Sequence, residues 1–133
     1  MFNRKSVLTA FGAILGLAMT VSASGLVNWD SSHSNRLTFS GPVGLPGVTL
    51  PAGTYVFELP SPITSPNLVR VMNKDRSTVY LTSFTLQIAR PVGLPNDRLV
   101  SFGEAPKGVV PPITVWYPIG ESIGHQFLYR SAP

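Results

Sequence analysis

From residue 36 onward, short runs of β-branched and aromatic residues alternate with clusters of Pro, Gly, Asn and Asp. No stretch keeps apolar residues at the i, i+3, i+4, i+7 spacing of an amphipathic helix, and a Pro interrupts most windows where one could begin. Short runs bounded by turn residues are typical of β-strands. The pattern predicts seven strands, or eight if Val48–Leu50 forms one. The seven cover residues 36–40, 54–59, 68–72, 78–88, 99–102, 113–117 and 126–129.

The clearest hairpin signal lies between residues 68 and 88, where two apolar arms flank the polar residues 73–77. In the second arm Phe84 and Leu86 alternate with polar residues, which predicts one buried and one solvated face. We therefore expect both side chains in the core. The full predicted core is Phe39, Tyr55, Phe57, Val69, Val71, Leu81, Phe84, Leu86, Val100, Phe102, Trp116 and Phe127.

Many short strands with frequent turns favour two packed sheets over alternating βαβ units. The predicted fold is therefore all-β, an antiparallel β-sandwich of seven or eight strands. The sequence PVGLP occurs at residues 42–46 and again at 91–95. Because the flanking residues differ and Pro/Gly connectors are common in β proteins, the pair favours two similar turns over two repeated units.

Residues 1–23 have the features of a secretory signal. Arg4 and Lys5 precede residues 7–21, an uncharged run of 15 residues that ends next to the small residues Ser22 and Ala23. A bilayer span needs about 20 apolar residues, so cleavage after Ala23 is favoured over a retained anchor. The predicted organisation is a signal peptide (1–23), a polar leader (24–35) and one sandwich domain (36–133). This implies an exported protein, periplasmic or extracellular, with no stable membrane span after cleavage.

Composition narrows the class of protein further. The length of 133 residues allows one domain, and 44% hydrophobic with 12% charged residues excludes a disordered chain. The formal net charge is +4 and falls to +2 without Arg4 and Lys5, which is too small to argue for a nucleic-acid partner. The absence of Cys excludes disulfides, thiol nucleophiles and Cys-based zinc sites.

Residues 50–58, LPAGTYVFE, resemble the L-P-x-G-x-Y start of a strand in transthyretin-like and CnaB-type β-sandwich domains. Alternation places Tyr55 and Phe57 on one face of this strand. The CnaB resemblance implies that Glu58 matches a Glu that assists a Lys–Asn isopeptide bond. The first strand here has Arg36 and no Lys, so no such cross-link is expected.

A longer resemblance runs from about residue 36 to 129. The order LPAGTYVFEL, VMNKDRSTVYLTSF, RLVSFGEAPKG and WYPIGESIGHQFLY is similar to a family of small, exported bacterial β proteins without an established activity. This resemblance implies a β fold and export, and it carries over no ligand and no catalytic residue. Gly103 and Gln126 stand where that family usually has an acidic residue.

No spacing of reactive residues matches a known catalytic or metal-binding motif. His33 and His125 are 92 positions apart, and metal sites usually need three or four ligands. We therefore predict a protein that is not an enzyme and binds neither metal nor cofactor. A small hydrolase that uses Glu104 and Glu121 as a carboxylate pair remains an alternative.

Residues 113–129 are the most distinctive segment for binding. Trp116 and Tyr117 are adjacent and therefore face opposite sides of a strand. Trp116, Phe127 and Tyr129 are expected to fill the core, while Tyr117 and His125 are the better exposed candidates. We expect His125 to be a structural or solvent-facing residue at the start of the last strand. The candidate ligand contacts are Trp116, Tyr117 and His125.

Taken as a whole, the pattern favours an exported, non-enzymatic β module. Its role is predicted to be structural or to consist of contact with a protein or cell-envelope component, because a β scaffold offers sheet edges and surfaces for such contacts. The alternative is a carbohydrate-binding module that uses Trp116 and Tyr117, since aromatic side chains stack on sugars.

Overall fold

A computed structural model of the chain describes Val21–Ala23 and residues 33–130. These residues form strands and contain no helix, so the predicted all-β class is confirmed. The strands are β1 (Val21–Ala23), β2 (Ser34–Phe39), β3 (Val43–Leu45), β4 (Val48–Leu50), β5 (Gly53–Glu58), β6 (Leu68–Asn73), β7 (Val79–Ala89), β8 (Val100–Phe102), β9 (Ile113–Trp116) and β10 (Ile123–Phe127).

Eight strands follow the order β1-β2-β5-β6-β7-β10-β9-β8, with antiparallel pairing throughout. The long strand β7 belongs to both layers, because residues 79–84 pair with β6 and residues 85–89 pair with β10. One layer therefore consists of β1, β2, β5, β6 and the first half of β7. The second half of β7 starts the other layer with β10, β9 and β8, which gives the predicted antiparallel sandwich.

Aromatic contacts between the layers close this sandwich. Phe39 on β2 and Phe102 on β8 lie near opposite ends of the strand order, yet their ring centroids are 6.4 Å apart. Phe57 on β5 lies 5.8 Å from Trp116 on β9 by the same measure. One hydrophobic core therefore fills the space between the layers, and most of the predicted core residues lie in it or pack against it.

The separate β3–β4 hairpin packs on the same core. Val43 and Leu50 are buried there, and the Gly44 amide donates a hydrogen bond of 2.9 Å to the Pro111 carbonyl. The Pro112 backbone also forms an isolated bridge with Gly44. The hairpin is thereby tied to the segment that leads into β9.

All seven predicted strands and the eighth at Val48–Leu50 are present. The last strand begins at Ile123 rather than at residue 126 and ends at Phe127, while β1 and β3 are additional. The polar reversal between β6 and β7 is confirmed. Its Asn73 side-chain oxygen accepts hydrogen bonds from the Ser77 and Thr78 amides at 2.8 and 3.1 Å.

The two PVGLP segments adopt different structures. The first contains strand β3, whereas the second contains a turn in which Gly93 has a φ of +88°. The prediction of two similar turns is therefore wrong, and the segments are not equivalent structural repeats either.

The prediction that Phe84 and Leu86 lie in the core is wrong, since they are 62% and 54% exposed. Leu81 and Phe84 are three positions apart, so a regular strand points them to opposite faces. Leu81 pairs with Val71 and packs against the core. The strand pairing becomes irregular just beyond Leu81, because the next pair joins Met72 to Val79 and skips one residue of β7. The pairing from Leu81 to Phe84 is regular and therefore leaves Phe84, and Leu86 two positions further on, on the outer face.

The predicted signal peptide and leader lie mostly outside the described residues. The end of the predicted signal peptide forms β1, whose backbone pairs with β2 from Val21 opposite Phe39 to Ala23 opposite Leu37. Strand β2 begins at Ser34, inside the predicted leader. Cleavage after Ala23 would remove β1 and leave that edge of β2 without this strand. Within the part of the chain that is described, no helix has the length and apolarity to cross a membrane.

Candidate functional site

The three candidate ligand contacts near the C-terminus are all buried. Trp116 is 0%, Tyr117 4% and His125 3% exposed. The prediction that Tyr117 and His125 are exposed is therefore wrong, and the role of these residues as ligand contacts stays a prediction. Trp116 and Phe127 fill the core as expected, whereas Tyr129 is 40% exposed.

Tyr117 is buried because its ring packs directly on β10. A Cβ atom added to Gly124 would lie 2.6 Å from Tyr117 Cδ1 and 2.9 Å from Val115 Cγ1, so only glycine allows this approach. The guanidinium carbon of Arg90 lies 5.3 Å from the centroid of the Tyr117 ring, within cation–π range. The ring is therefore held by packing and leaves little surface for a ligand.

Trp116 takes part in a polar connection between the two layers. Its indole Nε1 donates a hydrogen bond to Asn35 Oδ1 at 3.2 Å, and the Ile119 amide donates to the same oxygen at 3.1 Å. Asn35 Nδ2 in turn donates to the Ser34 carbonyl at 2.9 Å. Since buried polar groups are costly unless hydrogen-bonded, this connection positions β9 relative to β2.

His125 lies on the inner face of β10, beside the Trp116 ring at a centroid distance of 5.6 Å. Its Nδ1 is 3.2 Å from Thr85 Oγ1, and the Thr85 hydroxyl donates to the Asn67 carbonyl at 2.8 Å. Because the hydroxyl has a single proton, we assign His125 Nδ1–H as the donor to Thr85. Burial lowers the pKa of His125 below its usual 6.5, and the charge of Glu121 opposes this shift. The imidazole is therefore a neutral structural group.

This environment predicts a pH-dependent stability. The unfolded chain protonates His125 near pH 6.5, whereas the folded chain protonates it only at lower pH, so the free energy of unfolding falls as pH falls through this window. From about pH 7.5 to 5.5 the loss is at most about 1.4 kcal/mol. Urea unfolding at both pH values measures it, and His125→Gln is expected to remove this loss. Equal pH dependence in the two proteins would contradict the assignment.

Reactive side chains are dispersed elsewhere in residues 33–130. No group of three or more His, Asp or Glu within that range could hold a metal ion. The proposed carboxylate pair lies on different loops, with Glu104 after β8 and Glu121 before β10. Tyr129 donates a hydrogen bond of 2.6 Å to the Ile113 carbonyl, and burial raises its pKa to about 12. Tyr129 therefore stays protonated and anchors the chain after β10.

The outer face of the first layer carries a buried carboxylate between two arginines. Glu58 points away from the core because Phe57, the preceding residue, points into it, and its side chain is 1% exposed. Arg70 Nε donates to Glu58 Oε2 at 2.9 Å, while Arg76 Nη1 donates to Oε1. Each carboxylate oxygen therefore has its own guanidinium.

Arg76 reaches Glu58 from the loop between β6 and β7. It has a φ of +63°, which is uncommon for a residue with a side chain, and its Nη2 also donates to Ser34 Oγ at 2.9 Å. The sequence offers no local signal for this cluster, because Arg70 and Arg76 are 12 and 18 positions from Glu58.

Next to this cluster lies the group that we name the apolar strip, consisting of Leu68, Phe84 and Leu86. Leu68 and Phe84 are cross-strand partners, and Leu86 follows two positions later on the same face of β7. Arg70 is two positions from Leu68 on β6 and therefore shares this outer face. The sequence indicated that Phe84 and Leu86 belong together but not which side of the sheet they occupy.

Comparison with known proteins gives no matching family model, no matching curated protein and no matching solved structure. These comparisons therefore do not bear on the resemblance of residues 50–58 to transthyretin-like and CnaB-type domains, or on the longer resemblance to exported β proteins. Both stay expectations, and the candidate site is defined by its own geometry.

Proposed function

We propose that this protein is an exported, non-enzymatic β module that acts by contact with a protein or another component of the cell envelope, and that the apolar strip is its contact surface. The observation that carries the proposal is the exposure of Phe84 and Leu86, 62% and 54%, on the outward face of β7. On the inward face of the same segment, Ser83 is partly buried and Thr85 is buried. A contiguous exposed apolar group on a soluble domain is typical of an interaction site.

The strip has the physical properties that a contact surface needs. Burying a Phe or Leu side chain completely contributes about 1.5–3 kcal/mol, and roughly half of each side chain is still available. Strand β7 is hydrogen-bonded to β6 or β10 along its length, so the strip is presented by a rigid backbone. A rigid surface loses little conformational entropy when it binds.

The carbohydrate-binding alternative would rely on Trp116 and Tyr117. Both side chains are buried, and both are engaged by packing or hydrogen bonds. They would have to leave these contacts before stacking on a sugar. The outward-facing strip needs no such rearrangement, which is why we favour it as the binding surface.

Sedimentation with the envelope fraction of the producing cell tests this proposal. The double variant Phe84→Ser/Leu86→Ser should bind at least tenfold more weakly than the unchanged protein, because two apolar anchors are removed. Val92→Ser is the matched control, since Val92 is fully exposed on the loop after β7 and lies outside the strip. Equal sedimentation of all three proteins would contradict the proposal.

Two further measurements make the sedimentation result interpretable. The melting temperature of the double variant should stay close to that of the unchanged protein, because both replaced side chains are exposed. The intact mass of the recovered protein reports whether residues 1–23 have been removed, as export by a cleaved signal requires. A full-length mass in the inner membrane would contradict the exported form.

A further inference from the structure

We infer that the partner of the apolar strip is an anionic phospholipid surface. This inference rests on the proposed function and names the partner class for the same site. Its basis is the juxtaposition of the strip with three arginines, Arg36, Arg70 and Arg76, which we name the arginine group.

Strand register places both groups on one outer face. Arg36 on β2 lies opposite Val56, and Glu58 on β5 lies opposite Arg70 on β6, all pointing away from the core. On the next pair of strands, Leu68 lies opposite Phe84. Neighbouring strands are about 4.8 Å apart, so β2 and β7 are separated by about 14 Å across this face. The arginine group therefore spans β2, β6 and the loop between β6 and β7, and it shares this outer face with the apolar strip on β6 and β7.

The net charge of this face is positive. Three guanidinium groups and one carboxylate carry a net charge of +2, and the carboxylate of Glu58 is almost completely covered. The side chains of Arg70 and Arg76 are 37% and 40% exposed although both bind Glu58, and Arg36 is also exposed. The charge that faces solvent is therefore that of the arginines.

An anionic bilayer surface matches both the apolar strip and the arginine group. Apolar side chains such as Phe84 and Leu86 can enter the boundary between headgroups and acyl chains, while guanidinium groups bind phosphate oxygens. Each arginine near an anionic leaflet adds about fivefold to the affinity. A surface that carried only the strip would not distinguish anionic from zwitterionic lipid, whereas this face should.

The absence of Cys allows a fluorescent probe to be placed at a single position of the full chain. We would replace Leu86 by Cys, attach a polarity-sensitive fluorophore and add vesicles of phosphatidylcholine with or without about 30% phosphatidylglycerol. The matched control carries the same fluorophore at Val92→Cys. Because the signal is local to the labelled residue, membrane contact by another part of the chain does not produce it.

We expect the fluorescence at position 86 to rise several-fold with the anionic vesicles and to stay unchanged with phosphatidylcholine alone. The position 92 signal should not change. Binding should weaken at least fivefold in about 0.5 M NaCl, because salt screens the arginine–lipid attraction. Arg36→Gln should weaken it about fivefold, and Arg36 suits this test because it is exposed and does not bind Glu58. Phe84→Ser should weaken it about tenfold.

Several results would overturn the inference: an equal response to both vesicle types, an equal response at position 92, or binding unaffected by Arg36→Gln. A signal at position 86 that rises with protein concentration in the absence of vesicles would instead assign the strip to a second copy of the chain. If anionic vesicles do not change the fluorescence at position 86 while sedimentation with the envelope still depends on Phe84 and Leu86, the partner is a protein. In that case the proposed function stands and the lipid assignment falls.

Discussion

Trp116→Ala should lower the free energy of unfolding by about 3–5 kcal/mol, the range for removing a large buried aromatic side chain. Trp116 has no solvent exposure, and its ring contacts Phe57 and His125 from the two layers. The substitution leaves a cavity at the centre of the core. It also removes one of the two donors to Asn35 Oδ1, which lies in a buried position.

Equilibrium unfolding in urea measures this effect. A domain of this size has a total stability of about 5–15 kcal/mol, so the variant should unfold at much lower denaturant concentration. Phe84→Ala is the matched control, since it truncates an aromatic side chain that is 62% exposed and should cost less than about 1 kcal/mol. Similar losses in the two variants would contradict the assigned positions of these residues.

The double substitution Arg70→Ala/Arg76→Ala is the second change with a large expected effect, a loss of about 3–5 kcal/mol. Both guanidinium groups bind Glu58, whose carboxylate is almost fully buried. Removing both leaves a buried charge without an ionic partner. Each single substitution leaves one arginine in place, so the double loss should exceed the sum of the two single losses.

Two additional variants make this second prediction specific to the buried charge. Adding Glu58→Gln to the double variant should restore part of the stability, because a neutral amide costs less to bury than a carboxylate. Arg36→Ala removes an exposed arginine from the same face and should change stability by less than about 0.5 kcal/mol. The prediction would be contradicted if the loss in the double variant equalled the sum of the two single losses and if Glu58→Gln restored no stability. The Glu58 carboxylate would then not need its arginines.

Local alternation and turn chemistry were sufficient to predict eight of the ten described strands, because these strands are short and are bounded by Pro, Gly or polar residues. Tyr55 and Phe57 share the inner face of β5, as their spacing requires. The same reasoning failed for Phe84 and Leu86, because alternation indicates which residues share a face but not which face is covered. The register that pairs Leu81 with the buried Val71 and Phe84 with Leu68 decided that question, and it depends on two strands together.

For the candidate site, too, local sequence patterns predicted some features and the tertiary structure decided the others. The aromatic residues 116 and 117 were recognisable in the sequence, but the burial of Tyr117 depends on Gly124 of the neighbouring strand and on Arg90, and that of Trp116 on contacts with Phe57 and His125. The arginine group and the apolar strip were not recognisable, because their members come from three strands and a loop. Contacts between distant segments form only when the chain has folded, so no local pattern records them.

The sequence by itself determined most of the strand positions, the all-β class and the residue pairs that share a face, since these depend on backbone preferences and on the period of two along a strand. Tertiary structure decided the conformation of the two PVGLP segments. The first is extended as part of a hairpin, and its Gly44 amide binds the Pro111 carbonyl. The second has no such partner strand in the described sheets and turns at Gly93. Identical residues thus take different structures, because hydrogen bonds to distant segments outweigh a small local preference.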